Sequence, residues 1–343
     1  MRLWPKTHNG RPSSHDRHGL PRVSEASRMT SSGGSVLAVG YVTTDLLIKV
    51  RRFAETDEEV PILSFAEYPG GSAANTAVGL SRLGIRAGLV ACTGRDDLGR
   101  RGRQALDREG VSTEGMVSSP TGLGSAYVVG IVDERGERQL YTYAGASEEL
   151  KPEHLNPAVF DGVTHIHICT LGPDFVERAL ALARDANRPV VVSLDPGTIG
   201  SAPGRGERLR ALLPRVDLLF LNSVELRTLT GIRDHFALQH HADALPSRVA
   251  VKLGADGCVL YRRGFPQVSA PAFAVDTLDT TGAGDAFAAG YLAGWMWGLP
   301  DRDLAVFSNA VAARSTTAVG CRDGLPTLEQ IRAFLQARGH ALI

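Results

Sequence analysis

After residue 150 the chain alternates short apolar runs with stretches of helical periodicity, and that alternation restricts the fold more than any other feature. Apolar runs fall at 165–169, 189–194, 218–221, 249–253 and 258–262. Helical stretches fall at 174–187, 207–213 and 223–230, and later at 286–298, 301–317 and 327–338. Continuous apolar runs of this length fit strands buried on both faces. Strand–helix alternation then predicts an α/β fold, a mostly parallel sheet with helices on both faces. The first half adds strands at 35–40 and 87–93 and helices at 72–83 and 98–109. Residues 58–68 read as extended, and 126–132 with 137–143 read as a hairpin around Asp133-Glu134-Arg135-Gly136. These pieces predict a small antiparallel sheet, drawn from roughly 43–70 and 122–146, inserted into the larger body.

Charge and composition remove several classes. With 37 basic and 37 acidic side chains the net charge is zero, so neither nucleic acid nor an anionic membrane is expected as the main partner. No apolar run approaches the ~20 residues a membrane helix needs. Cys92, Cys169, Cys258 and Cys321 lie far apart without metal-ligand spacing, which predicts reduced thiols and a cytoplasmic protein. Residues 1–33 are basic, rich in serine and proline, and lack the apolar core of a secretory signal. They read as a disordered leader, or as the product of a start placed too early, with Met29 as the first true residue.

In sheets of this kind ligands bind at the carboxyl ends of the strands, so the residues there are the candidates. Asp279-Thr280-Thr281-Gly282-Ala283-Gly284-Asp285 joins an extended run at 272–275 to a helix. Gly282, Ala283 and Gly284 let the backbone approach a ligand, and the N–H groups opening the helix favour an anion. Asp285, a carboxylate beside such a site, suits removal of a proton from a hydroxyl that attacks phosphorus; helix capping is the plainer explanation. Gly70-Gly71-Ser72-Ala73-Ala74-Asn75 offers close backbone approach and an amide for hydroxyl groups, or simply a tight turn. Asp45, five residues past the first strand, would accept bonds from two neighbouring hydroxyls or form a turn. Asp195 ends a strand. Asn222 and Glu225 spell a capping box, and would also hold a hydrated divalent metal near phosphates. Gly254-Ala255-Asp256-Gly257 reads as a hairpin turn or a nucleotide-contacting loop.

From about residue 35 to about residue 337 the chain resembles the ribokinase family, the pfkB-type carbohydrate kinases. The stretches that carry the resemblance are GGSAANTAVGLSRLG from Gly70, DTTGAGDAFAAGYLAG from Asp279, NSVE, KLGADG and SNAVAARSTTAVGCRDGLPT. The resemblance implies a ribokinase-like kinase domain over 34–340, with the small sheet as a lid over the acceptor and, in some members, a dimer clasp. It implies transfer of the γ-phosphoryl of ATP to a sugar or nucleoside hydroxyl with magnesium. Asp285 would be the base, Gly282 to Gly284 the anion hole, and Asp45, Gly71 and Asn75 the acceptor's partners. Asn222 and Glu225 would position magnesium and phosphate, and Lys252, Gly254, Gly257 and Asn309 would lie around the nucleotide. Asp279, Thr281, Ser315, Ala318 and Gly320 match a site for a monovalent cation such as potassium, and Gly324 stands where some members offer a hydroxyl.

The acceptor is expected to be an unphosphorylated sugar, with a nucleoside second. Leu171 stands where ribokinase-like members place a sugar-binding glutamate, and Tyr41, Tyr68 and Phe65 are candidates to stack on a base. Arg205 and Arg208 are the candidates to hold an acceptor phosphate. A non-catalytic sugar or nucleoside sensor is the reading from another class, and Asp285 argues against it. A dinucleotide-dependent dehydrogenase fails because Gly40-Tyr41-Val42-Thr43 lacks the glycine fingerprint after the first strand.

Overall fold

A computed structural model describes residues 34–156, 162–197 and 205–341 of the protein, so the leader expected at 1–33 lies outside the described residues. Strand β1 (Ser35–Val39) is buried throughout and leads into β2 (Thr43–Val50) and β3 (Ile62–Gly70). There follow α1 (Ser72–Arg82), β4 (Arg86–Val90), β5 (Cys92–Thr93), α2 (Asp97–Arg108), β6 (Val117–Ser118), β7 (Tyr127–Val132) and β8 (Arg138–Tyr143). The second half contains β9 (His165–Cys169), α3 (Pro173–Asp185), β10 (Val191–Asp195), α4 (Arg205–Leu212), β11 (Leu218–Asn222) and β12 (Arg248–Lys252). It closes with β13 (Cys258–Arg262), β14 (Val268–Ala270), α5 (Ala283–Met296), α6 (Asp301–Ser315) and α7 (Leu328–Gln336).

Eight strands form the main sheet in the order β14-β13-β12-β11-β10-β9-β1-β4. The six from β4 to β12 run parallel, and β13 and β14 turn back antiparallel. Strand order reverses at β1, which has β4 on one side and β9 on the other; the crevice at the carboxyl ends there is where such folds receive ligands. Helices α1, α5, α6 and α7 cover one face, and α3 and α4 cover the other. Helix α5 is apolar all round and buried from Ala286 to Gly294, as a helix packed between sheet and neighbouring helices must be. Phe220 of β11 is fully buried and meets Phe287 and Tyr291 of α5 edge-on, which seats that helix on the sheet.

A second, four-stranded sheet, β3-β2-β7-β8, stands beyond the main one. Its outer pairs are antiparallel and its central pair, β2 with β7, is parallel. Register puts Asp45 opposite Tyr68 on one face, while Phe65 pairs with Ile48 on the other. Phe65 therefore cannot stack beside Asp45.

Several expectations change. Asp45 sits within β2, not in a loop; both faces of β2 are half-buried, so its sequence shows no alternation to reveal it. The run 87–93 breaks into β4 and β5. Residues 272–275 form no strand, because Pro271 cannot donate to a ladder and Asn309 takes the carbonyls of Ala270 and Pro271 at 2.9 and 3.0 Å. The helix expected at 223–230 is one α turn (Ser223–Glu225) followed by a wider π turn (Leu226–Thr230), stopped by Gly231 in the left-handed region. All four cysteines are free and buried, and no described helix is long and apolar enough to cross a membrane.

Replacing Phe220 with Ala removes the ring between sheet and α5 and should cost about 3–5 kcal/mol, read from urea unfolding. A loss under about 1 kcal/mol would mean that α5 is seated by other contacts.

Candidate active site

Gly282 is the cap of α5 and lies at φ 78°, a left-handed conformation that a side chain strains, with Cys321 packed against it. The Ala283 N–H at that turn donates to the Thr280 carbonyl at 3.2 Å, and the N–H groups after it in the first turn have no acceptor within the helix. Below them lies Lys252 of β12; a Cβ on Gly284 would stand 3.3 Å from its ammonium nitrogen. Lys252 bonds Asp195 of β10 at 2.6 Å. Burial opposes the ammonium's charge, but Asp195 and then Glu225 hold its pKa above the ordinary value. A helix N-terminus over a buried cation is a strongly anion-attracting place.

Asp285 stands in the first turn of α5, half-buried, with its carboxylate enclosed by packed protein. Asn75 Nδ2 of α1 donates to Asp285 Oδ2 at 2.9 Å, and the Ser72 hydroxyl also bonds the carboxylate. Burial pushes the Asp285 pKa up to about 7; Asn75 opposes this, Asp195 adds to it, and Lys252 opposes it. The group therefore carries a charge only near and above neutrality.

Asp45 is half-buried on β2, and its Oδ1 accepts from the Thr43 hydroxyl at 3.2 Å. Burial raises its pKa against the pull of Thr43, Cys321 and Arg322. The thiol of Cys321 lies 3.7 Å from Asp45 Oδ2. Burial, then the charges of Asp45, Asp285 and Asp279, push that thiol up to about 12, so the three carboxylates ring one buried side chain. Gly71 lies at φ 95°, and a Cβ there would meet the Tyr41 carbonyl at 2.3 Å, so only glycine fits between α1 and the loop after β1. Asp45, Gly71, Asn75, Asp285 and the Gly282–Gly284 turn thus come together, although α1 and α5 are some two hundred residues apart in sequence.

The remaining candidates divide. Asn222 Oδ1 accepts from Val224 and Glu225 N–H groups, and Glu225 Oε2 accepts from the Asn222 N–H, so both side chains form the capping box. Burial and then the charge of Asp195 raise the Glu225 pKa. Gly254 and Gly257 bound the turn between β12 and β13, which is an antiparallel hairpin. Beside it Leu253, Asp256, Cys258, Ala270, Pro271 and Phe236 line a cleft of about 500 Å³. Asn309 is buried under this cleft, its amide engaged by Ala270 and Pro271. Asp279 accepts from Thr281 N and Oγ1 and from Gly320 N; burial opposes its charge, but these bonds hold its pKa below the ordinary value. Gly324 packs on the Ser315 carbonyl, where a Cβ would approach to 2.0 Å, so no hydroxyl side chain fits there. Leu171 is buried in the core, and Arg208 pairs with Asp174 and Glu177 at the surface. Two residues of the site escaped sequence reasoning, Cys321 and Arg322. Both stand inside the SNAVAARSTTAVGCRDGLPT stretch, where no local pattern marks either one for a role.

Residues 34–328 match the pfkB family carbohydrate kinases. The chain belongs to that family. An ATP-dependent ribose-1-phosphate kinase of Halopiger xanaduensis is 35% identical over 304 residues, covering 88% of this chain and 98% of that one. The crystal structure of the Methanocaldococcus jannaschii nucleoside kinase superposes with a TM-score of 0.76 at 26% identity, covering 89% and 100% of the two chains. Ribokinase of Arabidopsis thaliana, solved with ribose and ATP, shares the fold with a TM-score of 0.79 at 21% identity, covering 88% and 98%. As a pfkB kinase, the chain is an ATP-dependent phosphotransferase of the sugar and nucleoside class.

Lys252 is the cation beneath the anion-attracting turn, and removing it leaves the Asp195 carboxylate without its partner. Lys252→Met should therefore destabilise by about 3–5 kcal/mol in urea unfolding at neutral pH. A change within about 1 kcal/mol would show that solvent, not Lys252, compensates Asp195.

Proposed function

We propose that this kinase transfers the γ-phosphoryl of ATP to a hydroxyl of a small unphosphorylated sugar, with Asp285 as general base. The observation that carries the proposal is the Asp285 carboxylate, raised to about 7 by burial and standing at the N-terminus of α5. A base whose pKa lies near working pH combines a sizeable ionised fraction with a strong pull on the hydroxyl proton. The acceptor hydroxyl donates to Asp285, and Asp45, Gly71 and Asn75 hold its neighbours. The N–H groups of Gly282, Ala283 and Gly284, with Lys252 behind them, take up the charge that spreads over the equatorial oxygens. The cleft beside Leu253 and Pro271 receives the nucleotide base, with the Gly254–Gly257 turn at its edge and Asn309 fixing its floor.

The residues present fit magnesium. The charge of Asp195 adds to burial in opposing the ionisation of Glu225, so a divalent ion carried on the phosphates would relieve a repulsion already built in. Asn222 and Glu225 would hold it through water, and it would supply charge neutralisation. For potassium, the ionised Asp279 with the carbonyls of Ser315, Ala318 and Gly320 and the Thr281 hydroxyl is the proposed site.

Two observations favour an unphosphorylated acceptor over the sugar phosphate used by the Halopiger relative. Arg208 is engaged at the surface, and Arg322 is buried with its guanidinium bonded to protein. The second reading, a nucleoside, draws on Tyr68, which shares a sheet face with Asp45. The four-stranded sheet, over 43–70 and 122–146, would act as a lid that excludes water from the transfer. Phe65 and Tyr141 are 55% and 57% exposed on its face away from Asp45, which suits a homodimer formed through the lid.

ATP consumption across free sugars, sugar phosphates and nucleosides, with magnesium and potassium, tests the reading. Turnover should require an unphosphorylated acceptor, fall as pH drops through about 7 while Asp285 protonates, and drop ~10²–10⁴-fold in Asp285→Asn with ATP affinity retained. Turnover confined to sugar phosphates refutes the acceptor; full turnover in Asp285→Asn refutes the base. For the dimer, sedimentation equilibrium should give twice the 36.5 kDa chain mass, and Phe65→Lys with Tyr141→Lys should return the single mass. A wild-type single mass contradicts it.

A further inference from the structure

Arg322 lies in the turn before α7 and is only 3% exposed. Its Nε donates to Asn75 Oδ1 at 2.9 Å, and its Nη2 donates to the Gly70 carbonyl at 2.8 Å. Burial pulls its pKa down to about 10, so it stays charged at neutral pH. Its own carbonyl accepts from Arg82 Nη1 at 2.7 Å, and Arg82 forks onto Glu109, so the turn is pinned from behind. No role falls to this residue from the sequence, and its guanidinium hydrogen bonds go to Asn75 and Gly70, not to Asp285.

Resting on the reading of Asp285 as the base, we propose that Arg322 is a positioning residue for the transfer, fixing the Asn75 amide so that its NH2 faces Asp285 and coupling that orientation to Gly70, the last residue of the lid strand β3. An amide has two faces of opposite sense, one accepting and one donating. Arg322 offers only donors and so takes Oδ1; the other end of the amide is then Nδ2, which reaches the Asp285 carboxylate at 2.9 Å. The flipped amide would set two donors together at Arg322 and two acceptors together at Asp285, so each end enforces the same choice. One Nδ2 hydrogen bonds Asp285, and the second remains for a hydroxyl. Gly70 joins this chain directly: it ends β3 and pairs with Thr43 at the start of β2, two residues before Asp45. A displaced lid strand moves the Gly70 carbonyl, and with it the guanidinium that orients Asn75.

A donor on a carboxylate favours its charged form, so losing the fixed amide raises the pKa of the base. The other charged or titratable groups near Asp285 are Asp195, Lys252, Cys169 and Cys321. Arg322→Met changes none of these side chains. Its acidic limb in kcat/KM should move up by about one pH unit, with kcat down on the order of tenfold and ATP affinity unchanged. Arg322→Lys, which keeps a cation and a donor, should recover part of both. In an Asn75→Ala background, Arg322→Met should move the limb no further. An Arg322→Met enzyme of wild-type limb and kcat overturns the proposal, as does an equal limb shift in the Asn75→Ala background. Should Arg322→Met fail to fold, Arg322→Lys decides alone: a limb and kcat unchanged from wild type with altered urea stability leaves only a structural brace. Failure of the base reading is separate, since it appears as turnover in Asp285→Asn.

Discussion

The hydrogen bond from Asn75 to Asp285 is the interaction on which the site depends. It joins α1, which follows strand β3 of the small sheet, to α5, which carries the anion-attracting turn, across 210 positions of sequence. Neither helix places its chemistry alone. α1 brings an amide and the tight Gly71 turn; α5 brings the N–H groups and the carboxylate. The bond fixes one carboxylate oxygen of Asp285 against α1.

Electrostatics follow from that placement. Asp285, Asp195, Glu225 and Asp45 would repel one another if all were ionised in a dry site. Lys252 and the amides opening α5 offset part of this; burial keeps Asp285 partly protonated near neutrality and raises the Asp45 pKa above its ordinary value. The incoming phosphates and their metal change the sum again. A site of this kind is strained toward binding anions with cations attached, which is the charge form of a metal–nucleotide complex.

Much of this was legible in the sequence. The strands of the main sheet stand as apolar runs because both their faces are buried, and α5 stands out because small apolar residues leave it no polar side. The Gly282–Asp285 turn reads as an anion site because glycine and a following helix leave little else for those amides to do. Other parts were illegible for physical reasons. Strand β2 is half-buried on both faces, so Asp45 appeared to lie in a loop. Asn222 with Glu225 spells a cap whether or not it meets a metal, and the local bonds are those of the cap. Arg322 bonds residues about 250 positions away, and no local pattern marks a buried guanidinium. Pairings made only by tertiary packing leave no trace in a single sequence.

The most direct measurement is the ionisation of Asp285 itself. Carboxyl-13C aspartate labelling of the free enzyme, with Asp285→Asn to assign the resonance, gives its titration by NMR. A midpoint near 7 is expected of a base held by burial beside Asp195. A midpoint near the ordinary aspartate value of about 4 would mean that solvent reaches the carboxylate freely. Asp285 would then be a helix cap with no special readiness to accept a proton, and the central claim would fall.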